Sequence, residues 1–392
     1  MKLTVRWVAS LCLAVVGAAA GQSDKTPHTL AQLEAAARQD SLDPESHYSL
    51  AFRYDSLKRF DDAEREARQA VAIDPHYAPA LLLLAYLPYD RRPKLWSEVR
   101  RGKVPAAWQS AVEEGDRLAH RAFIIDPLVD FRVMGAPPVE ERMLVIPDYG
   151  QATTERLLIL GLVAFDYARY ELAYDALDRY VDRRYARQLD SVSSGILLYR
   201  GLAAAHIHAF TRAVADFQVL LDRSLRQEAG DSLIQIPLAT NDYRYVLAFL
   251  KQGQNRPADA MSLYKEALAA DLGLYMAHAR LARLYRDVKM WDQAIDESRA
   301  AVSANPDDPR LLVDLGETLR DAGRLAEAET TLRQAATANP RDPRTTYTLG
   351  AVYLQLGDSG SARAAYNRFL AMAPSRMSAQ ITTAKQQVAA LH

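Results

Sequence analysis

The spacing of histidine and nucleophilic residues limits the chemistry that this sequence could carry. His206 and His208 are the closest histidines, but residues two apart on a helix point to different sides and cannot share a metal as an i, i+4 pair can. We interpret both as structural residues. The sequence has no GxSxG nucleophile motif, no glycine-rich phosphate loop followed by lysine, and no HExxH helix. No catalytic residue, metal site or cofactor is therefore predicted.

Basic and aromatic residues are mixed between 86 and 109. The binding candidates there are Arg91, Arg92, Trp96, Arg100 and Arg101. Such a surface could hold an acidic partner or an anionic lipid. In the alternative interpretation, the arginines of an elongated helix are solvated and the tryptophans pack against the next unit. Asp90 and Glu98 dilute the charge and favour that alternative.

The elements that must position these residues follow a repeated pattern. Its best copy consists of Leu349, Gly350, Tyr353, Ala362, Phe369 and Pro374. The same six positions, with similar residues, begin at Leu315 and Leu281, each 34 residues further upstream, and again at Leu50. Weaker copies contain Leu160 with Gly161, Gly201 with Ala213, and Tyr264 with Ala267. A fixed period of this length predicts a stack of similar structural units.

Each unit has two apolar blocks at helical spacing, separated by a polar turn, which predicts an antiparallel helical hairpin. The small residues at the second and fourth positions allow the two helices to approach closely. The closing proline cannot continue the preceding helix. The period thus predicts both the helices and the turns between them.

The pattern resembles the tetratricopeptide repeat, whose 34-residue period and leucine, glycine, tyrosine, alanine and proline positions it shares. The resemblance implies an all-α fold, a right-handed superhelical solenoid of antiparallel helix pairs. It also implies a concave groove, lined by the first helix of each pair, that binds a peptide segment or a partner protein. Some family members clamp a carboxylate end with lysine and asparagine. We do not transfer that activity, because the first helices here carry arginines and acids and no asparagine at the matching places.

The outward positions of the C-terminal first helices supply the second group of partner-binding candidates. These positions are Arg280, Arg283, Arg286, Asp287, Arg310, Asp314, Glu317, Arg320, Asp321, Arg344, Tyr347 and Gln355. The candidates selected from them are Arg280, Arg283, Arg286, Arg310, Glu317, Arg320, Arg344 and Tyr347. The charges are of both signs, so a solvated surface crossed by ion pairs explains them about as well as a ligand groove does.

The N-terminus resembles a secretory signal peptide. Lys2 and Arg6 precede an apolar stretch over 8–16 that is too short to span a bilayer, and small residues follow it. We expect cleavage after Ala20 and export to the periplasm or the medium; an uncleaved anchor is the alternative. The only cysteine, Cys12, would leave with the signal, so no disulfide is expected. Export without disulfides, together with abundant Ala and Arg and little Lys, suggests a bacterial protein.

Breakers and repeat boundaries divide the chain. We predict a signal peptide at 1–20; a leader and first helix at 21–43; an N-terminal repeat array at 44–127, with an insertion at about 86–109 where Pro88 interrupts a repeat unit; an irregular linker at 128–152; degenerate repeats at 153–274; three well-formed repeats at 275–376; and a capping helix at 377–392.

Two functions from different classes remain. The first is a non-enzymatic scaffold or adaptor of the bacterial cell envelope, which binds a peptide segment or partner protein through the groove and is also compatible with a homo-oligomer. The alternative is a regulatory subunit or an enzyme with an unrecognised site in residues 86–151. The net charge of −1, or −3 without Lys2 and Arg6, indicates no nucleic-acid partner. Beyond the signal, no apolar run reaches transmembrane length.

Overall fold

A computed structural model describes residues 29–129, 152–166, 168–228 and 238–391. The predicted signal peptide and most of the predicted linker lie outside these residues. Within them the chain forms 19 α-helices and no strand. The first six are α1 Leu30–Gln39, α2 Pro44–Ser56, α3 Phe60–Ile73, α4 Ala78–Arg91, α5 Leu95–Arg100 and α6 Gln109–Ile125.

The remaining helices form the rest of the repeat region. They are α7 Thr154–Asp166, α8 Tyr170–Tyr185, α9 Ser194–His206, α10 Phe210–Glu228, α11 Thr240–Gly253, α12 Pro257–Ala270, α13 Tyr275–Asp287, α14 Trp291–Ala304, α15 Pro309–Asp321, α16 Leu325–Ala338, α17 Pro343–Leu356, α18 Ser359–Met372 and α19 Ser378–Ala390. Contacts divide the chain into two units. We call residues 85–270 the central unit, and residues 27–84 together with 271–392 the two-segment unit.

Successive helices pack as hairpins, as the pattern predicts. The paired helices are α2 with α3, α7 with α8, α9 with α10, α11 with α12, α13 with α14, α15 with α16, and α17 with α18. The predicted all-α fold of antiparallel helix pairs is confirmed. Close approach is the reason for the small residues: a Cβ on Gly316 would lie 2.5 Å from Cγ of Leu332. Ala328, at the fourth position of the same repeat, is fully buried.

One backbone feature unites the regular and the degenerate hairpins. In every turn between the two helices of a pair, one residue has a positive φ: Lys58, Ala168, His208, Asn255, Lys289, Gly323 or Gly357. In each hairpin this residue lies one or two positions after the first helix ends. A left-handed residue at this point ends the helix and lets the chain reverse. The degenerate hairpins of the central unit therefore keep the turn geometry of the regular repeats.

Pro88 lies inside a helix, near its C-terminal end. Helix α4 continues through Pro88 to Arg91, because the proline lies in the last turn and removes only one intrahelical hydrogen bond there. Residues 92–108 then separate α4 from α6. These two helices still pack closely, since a Cβ on Gly115 would lie 2.9 Å from the backbone oxygen of Ala85.

Candidate protein-binding face

The first helices of the three C-terminal repeats lie side by side. Helix α13 contacts α15, and α15 contacts α17, although each pair is separated in sequence by an intervening helix. Asp308 and Asp342 cap α15 and α17 in the same way, each accepting a hydrogen bond from the backbone N–H of the arginine two residues later. A proline follows each cap at the first helical position. We call the solvent-facing side chains of α13, α15 and α17 the first-helix face.

Ion pairs cross the first-helix face from one helix to the next. Arg286 of α13 lies 2.8 Å from a carboxylate oxygen of Asp321 and 3.7 Å from one of Glu317, both on α15. Arg344 of α17 contacts Asp314 at 2.8 Å and Glu317 at 3.3 Å. The acids of the central helix are thus held between arginines of the two outer helices. All five side chains are half-buried, between 18% and 28% exposed.

The network sets the protonation state of its most enclosed acid. Burial by itself raises the pKa of Asp314, but the charges of Arg344, Arg283 and Arg310 and the hydrogen bond from Arg344 outweigh it and lower that pKa. The pKa of Arg344 is raised, because the charges of Asp314 and Glu317 outweigh its desolvation. Both groups are ionised at neutral pH, so the face presents fixed charges of both signs.

A concavity lies between α13, α14 and α15. It is shallow, with room for about one water molecule, and its polar lining comprises Arg283, Arg286, Ser298, Asp314 and Thr318. Small residues of α13 and α14 form its floor: Ala279, Ala282 and Ala301. Arg283 is exposed and, among the described residues, has no hydrogen bond or ion pair. It is the arginine of this concavity best placed to bind an incoming anionic group.

The other predicted residues of this face have different surroundings. Arg320 pairs with its neighbour Asp321 at 2.7 Å, and Arg280 is half-buried. Tyr347 packs against Tyr366 and Phe369, with ring centroids 5.8 and 5.1 Å apart. Arg310 forms an ion pair with Asp74 of the N-terminal repeat. The eight predicted residues therefore belong to several local networks, and their role in binding stays a prediction.

The basic and aromatic stretch is less concentrated than its sequence suggests. Arg92 forms a 2.7 Å ion pair with Glu98 and lies 5.9 Å from the ring centre of Trp108. Arg91 and Arg101 are exposed. Trp96 and Arg100 are part of α5, but their side chains lie outside the described residues. The pairing of Arg92 with Glu98 removes one arginine from any basic patch here.

The two closest histidines, His206 and His208, pack against aromatic rings. His206 stacks on Tyr170 with ring centroids 4.0 Å apart, and His208 lies edge-on to Phe210 at 5.6 Å. In the part of the chain that the structure describes, no group of three His, Cys, Asp or Glu residues could hold a metal ion. Among those residues, no helix is both long and apolar enough to cross a membrane.

The sequence places Asp314 and Asp321 on the outward positions of the first helices, but it does not identify their partners. In the structure each of these acids pairs with an arginine of an adjacent first helix. The 34-residue period could have indicated these pairs, since residues one period apart lie beside each other in neighbouring helices. Asp321 is one period and one residue from Arg286.

Comparison with known proteins agrees with the repeat pattern in the C-terminal region. The sequence profile of the tetratricopeptide repeat family matches residues 279–343 and 313–376, which identifies tetratricopeptide repeats in that range. A search of curated proteins found no significant match.

A search of solved structures returned matches of low identity, among them the following three. A MamA fragment from Desulfovibrio magneticus RS-1 is 13% identical, with a TM-score of 0.39 over 46% of this chain and 94% of that one. Yeast Tom70 is 14% identical, with a TM-score of 0.40 over 91% of each chain. YrrB, described as a TPR protein with an unusual peptide-binding site, is 17% identical, with a TM-score of 0.38 over 55% of this chain and 100% of that one. At these scores the matches support no functional assignment.

Proposed function

We propose that this protein is an exported, non-enzymatic interaction scaffold of the bacterial cell envelope, which binds a peptide segment or partner protein along the first-helix face. The observation that carries the proposal is the exposed Arg283 at a concavity between tetratricopeptide repeats. Stacked hairpins provide extended surface without a deep cavity, which suits an extended or helical partner segment.

The fixed charges around Arg283 favour specific rather than general attraction. Arg286 and Arg344 are already held by acids of α15, so their geometry is set before a partner arrives. A preorganised surface loses less conformational entropy on binding. The partner segment that fits best carries a carboxylate for Arg283 and tolerates the nearby charge of Asp314.

Charge reversal at Arg283 tests the proposal. The full chain is used as bait in an envelope extract, alongside Arg283→Glu and the control Arg363→Glu. Arg363 is an exposed arginine on α18, the second helix of its pair. We expect Arg283→Glu to reduce recovery of the main bound protein about tenfold or more and Arg363→Glu to leave it unchanged. Equal recovery with all three baits would contradict binding at this face.

Export is tested separately. The full chain is expressed in a Gram-negative host, and the protein from the periplasmic fraction is weighed by mass spectrometry. We expect a chain beginning at Gly21, since the small residues before it form the cleavage site. An uncleaved chain in the cytoplasm would overturn the exported part of the proposal and leave the binding part untouched.

A further inference from the structure

Within the two-segment unit, turns of the N-terminal repeat contact turns of the C-terminal repeats more than two hundred residues later. The first contact joins Asp74 and His76, which follow α3, to Asp308 and Arg310 at the start of α15. The second joins Asp40 and Asp43, which lie between α1 and α2, to Ser375 and Arg376 after α18. We call these eight residues the turn clasp.

The first contact is reciprocal. Asp74 accepts hydrogen bonds from its own turn, through the backbone N–H of His76 at 2.9 Å, and from the guanidinium of Arg310. Asp308 accepts from the backbone N–H of Arg310 at 3.1 Å and lies 2.5 Å from Nε2 of His76. Each acid therefore stabilises one local turn and reaches across to the other segment.

The side chains of the first contact are largely shielded from water. The side chains of His76 and Asp308 are 8% and 1% exposed. Arg310 and Asp74 are 23% and 16% exposed. Burial raises the pKa of Asp74, but the charge and hydrogen bond of Arg310 outweigh this and hold that pKa below its usual value. Asp74 is thus ionised at neutral pH and matched to its cation.

The second contact is more open. Asp40 accepts hydrogen bonds from the backbone N–H of Ser375 at 3.2 Å and from its hydroxyl at 3.0 Å. Arg376 lies 3.1 Å from Asp43, which also caps α2 by accepting from the backbone N–H of Ser46. Arg376 is 49% exposed, so salt screens this pair more than the first.

In the turn clasp, the carboxylate of Asp74 pairs with Arg310, which is one of the predicted binding residues. Arg310 lies on α15 and contributes to the charge around Asp314, yet its ion-pair partner is Asp74. A guanidinium that already pairs with one carboxylate gains less from a second. An external acidic segment that binds Arg310 must therefore compete with Asp74.

We infer that residues 40–76 are a built-in occupant of the turns before α15 and after α18, and that Asp74 competes with acidic partner segments for Arg310. The competition rests on the proposed function, whereas the clasp itself does not.

A disulfide trap measures clasp closure without any ligand. The full chain first carries Cys12→Ser, which removes its own cysteine. Two further substitutions, Asp40→Cys and Ser375→Cys, then place thiols at the second contact, so that variants at the first contact can be compared. Closure gives an internal disulfide and faster migration on a non-reducing gel. We expect Asp74→Arg or Arg310→Asp to slow disulfide formation about tenfold. The charge-swapped Asp74→Arg/Arg310→Asp pair should recover part of that rate, because it restores the ion pair but not the hydrogen bond that Asp74 accepts from the backbone N–H of His76. Arg363→Asp serves as the matched surface control.

Arg310→Gln guards against a folding defect, because it removes the charge and keeps the backbone N–H that Asp308 caps. It should also slow trapping while circular dichroism stays unchanged. Single variants that trap at the parental rate, or a charge-swapped pair that stays slow, would overturn the clasp whatever the protein binds.

Fluorescein-labelled hexaglutamate tests the competition. We expect Asp74→Asn to bind this peptide about tenfold more tightly than the parent chain, and Arg310→Gln to cancel the gain in the double variant. In a contrary outcome, Asp74→Asn binds the peptide no more tightly than the parent chain while the disulfide rates change as expected. That outcome would overturn the competition at Arg310 but not the clasp.

Discussion

The C-terminal repeats of the two-segment unit and the degenerate hairpins of the central unit place their charges differently. On the first-helix face, paired charges such as Arg286 with Asp321 stay half-exposed. In the central unit, Arg200 and Asp216 form an ion pair at 8% and 1% exposure, and Asp178 lies 3.2 Å from the same arginine. On the first-helix face these paired charges lie at the surface, whereas the central unit buries an ion pair between the two helices of one hairpin.

The central unit also buries an arginine with few counter-charges. Arg223 is 3% exposed. Its guanidinium donates to the hydroxyl of Ser194 and to the backbone oxygens of Leu189 and Asp190, each at 3.0 Å. These bonds tie α10 to the loop before α9. Burial lowers the pKa of Arg223. Irregular loops thus replace the standard inter-repeat turn and need buried polar side chains to hold them.

Removing one half of the buried pair is expected to have the largest effect. Asp216→Ala leaves the Arg200 guanidinium buried beside only the half-exposed Asp178, which should lower the free energy of unfolding by about 3–5 kcal/mol. Asp175→Ala breaks an exposed pair with Arg179 on α8 and should cost less than about 1 kcal/mol. Urea denaturation followed by circular dichroism compares the two, and equal costs would contradict the distinction between buried and exposed pairs.

Enlarging a glycine in the regular repeats tests close helix packing. Gly316→Ala should lower the free energy of unfolding by about 1–3 kcal/mol, because the new methyl group would overlap Leu332. Gly360→Ala in α18 is the control, since its nearest neighbour would be 3.6 Å away. That change should be neutral or slightly stabilising through helix propensity. A harmless Gly316→Ala would show that the hairpin can open without cost.

The first-helix network predicts a pH-dependent contribution from Asp314. Its pKa lies below the usual 3.8, so its stabilising effect is fully present above that value and is lost as pH falls through the lower folded-state pKa. Asp314→Asn should therefore cost about 1–2 kcal/mol at pH 7 and close to nothing at the acid end of the titration.

The measurement is urea denaturation of the parent and Asp314→Asn chains across this pH range. Asp307→Asn, an exposed turn variant, should differ little from the parent throughout. A cost for Asp314→Asn that persists undiminished in acid would show that the arginines of this face do not stabilise the charged form.

The turn geometry that the two regions share predicts the smallest effect. Ala168 in the central unit has a φ of +52°, where Gly323 and Gly357 occupy the matching turns of the C-terminal repeats. Ala168→Gly should raise the free energy of unfolding by about 0.5–1 kcal/mol, because glycine relieves the left-handed strain but gains entropy in the unfolded chain. Ala364→Gly, on an exposed part of α18, should instead lose about 1 kcal/mol. Thermal unfolding resolves the opposite signs.

Much of the hairpin architecture could be predicted from the period, because residues such as Gly316 and Ala328 are selected by size at fixed positions. The left-handed residue of each turn could not be predicted from the sequence. Five of these residues are not glycines and share no common signal for that conformation: Lys58, Ala168, His208, Asn255 and Lys289. The end of α4 could not be located either, because a proline's effect depends on its place in the helix.

The candidate site was partly predictable. Outward positions of the first helices follow from helical periodicity, but the pairing of Arg344 with Asp314 depends on the relative register of two helices. Clasp residues such as Asp74 and Arg310 belong to no common period, because their contact joins segments 236 residues apart. Contacts of that separation depend on how many hairpins intervene and how they stack.

Site-specific photocrosslinking tests the central claim most directly. The photoreactive amino acid p-benzoylphenylalanine is placed at position 283 on the first-helix face or at position 363 on α18, and each full chain is illuminated in living cells. We expect a crosslinked partner protein from position 283 and none from position 363. Crosslinking of the same partner only from position 363 would contradict binding at the first-helix face.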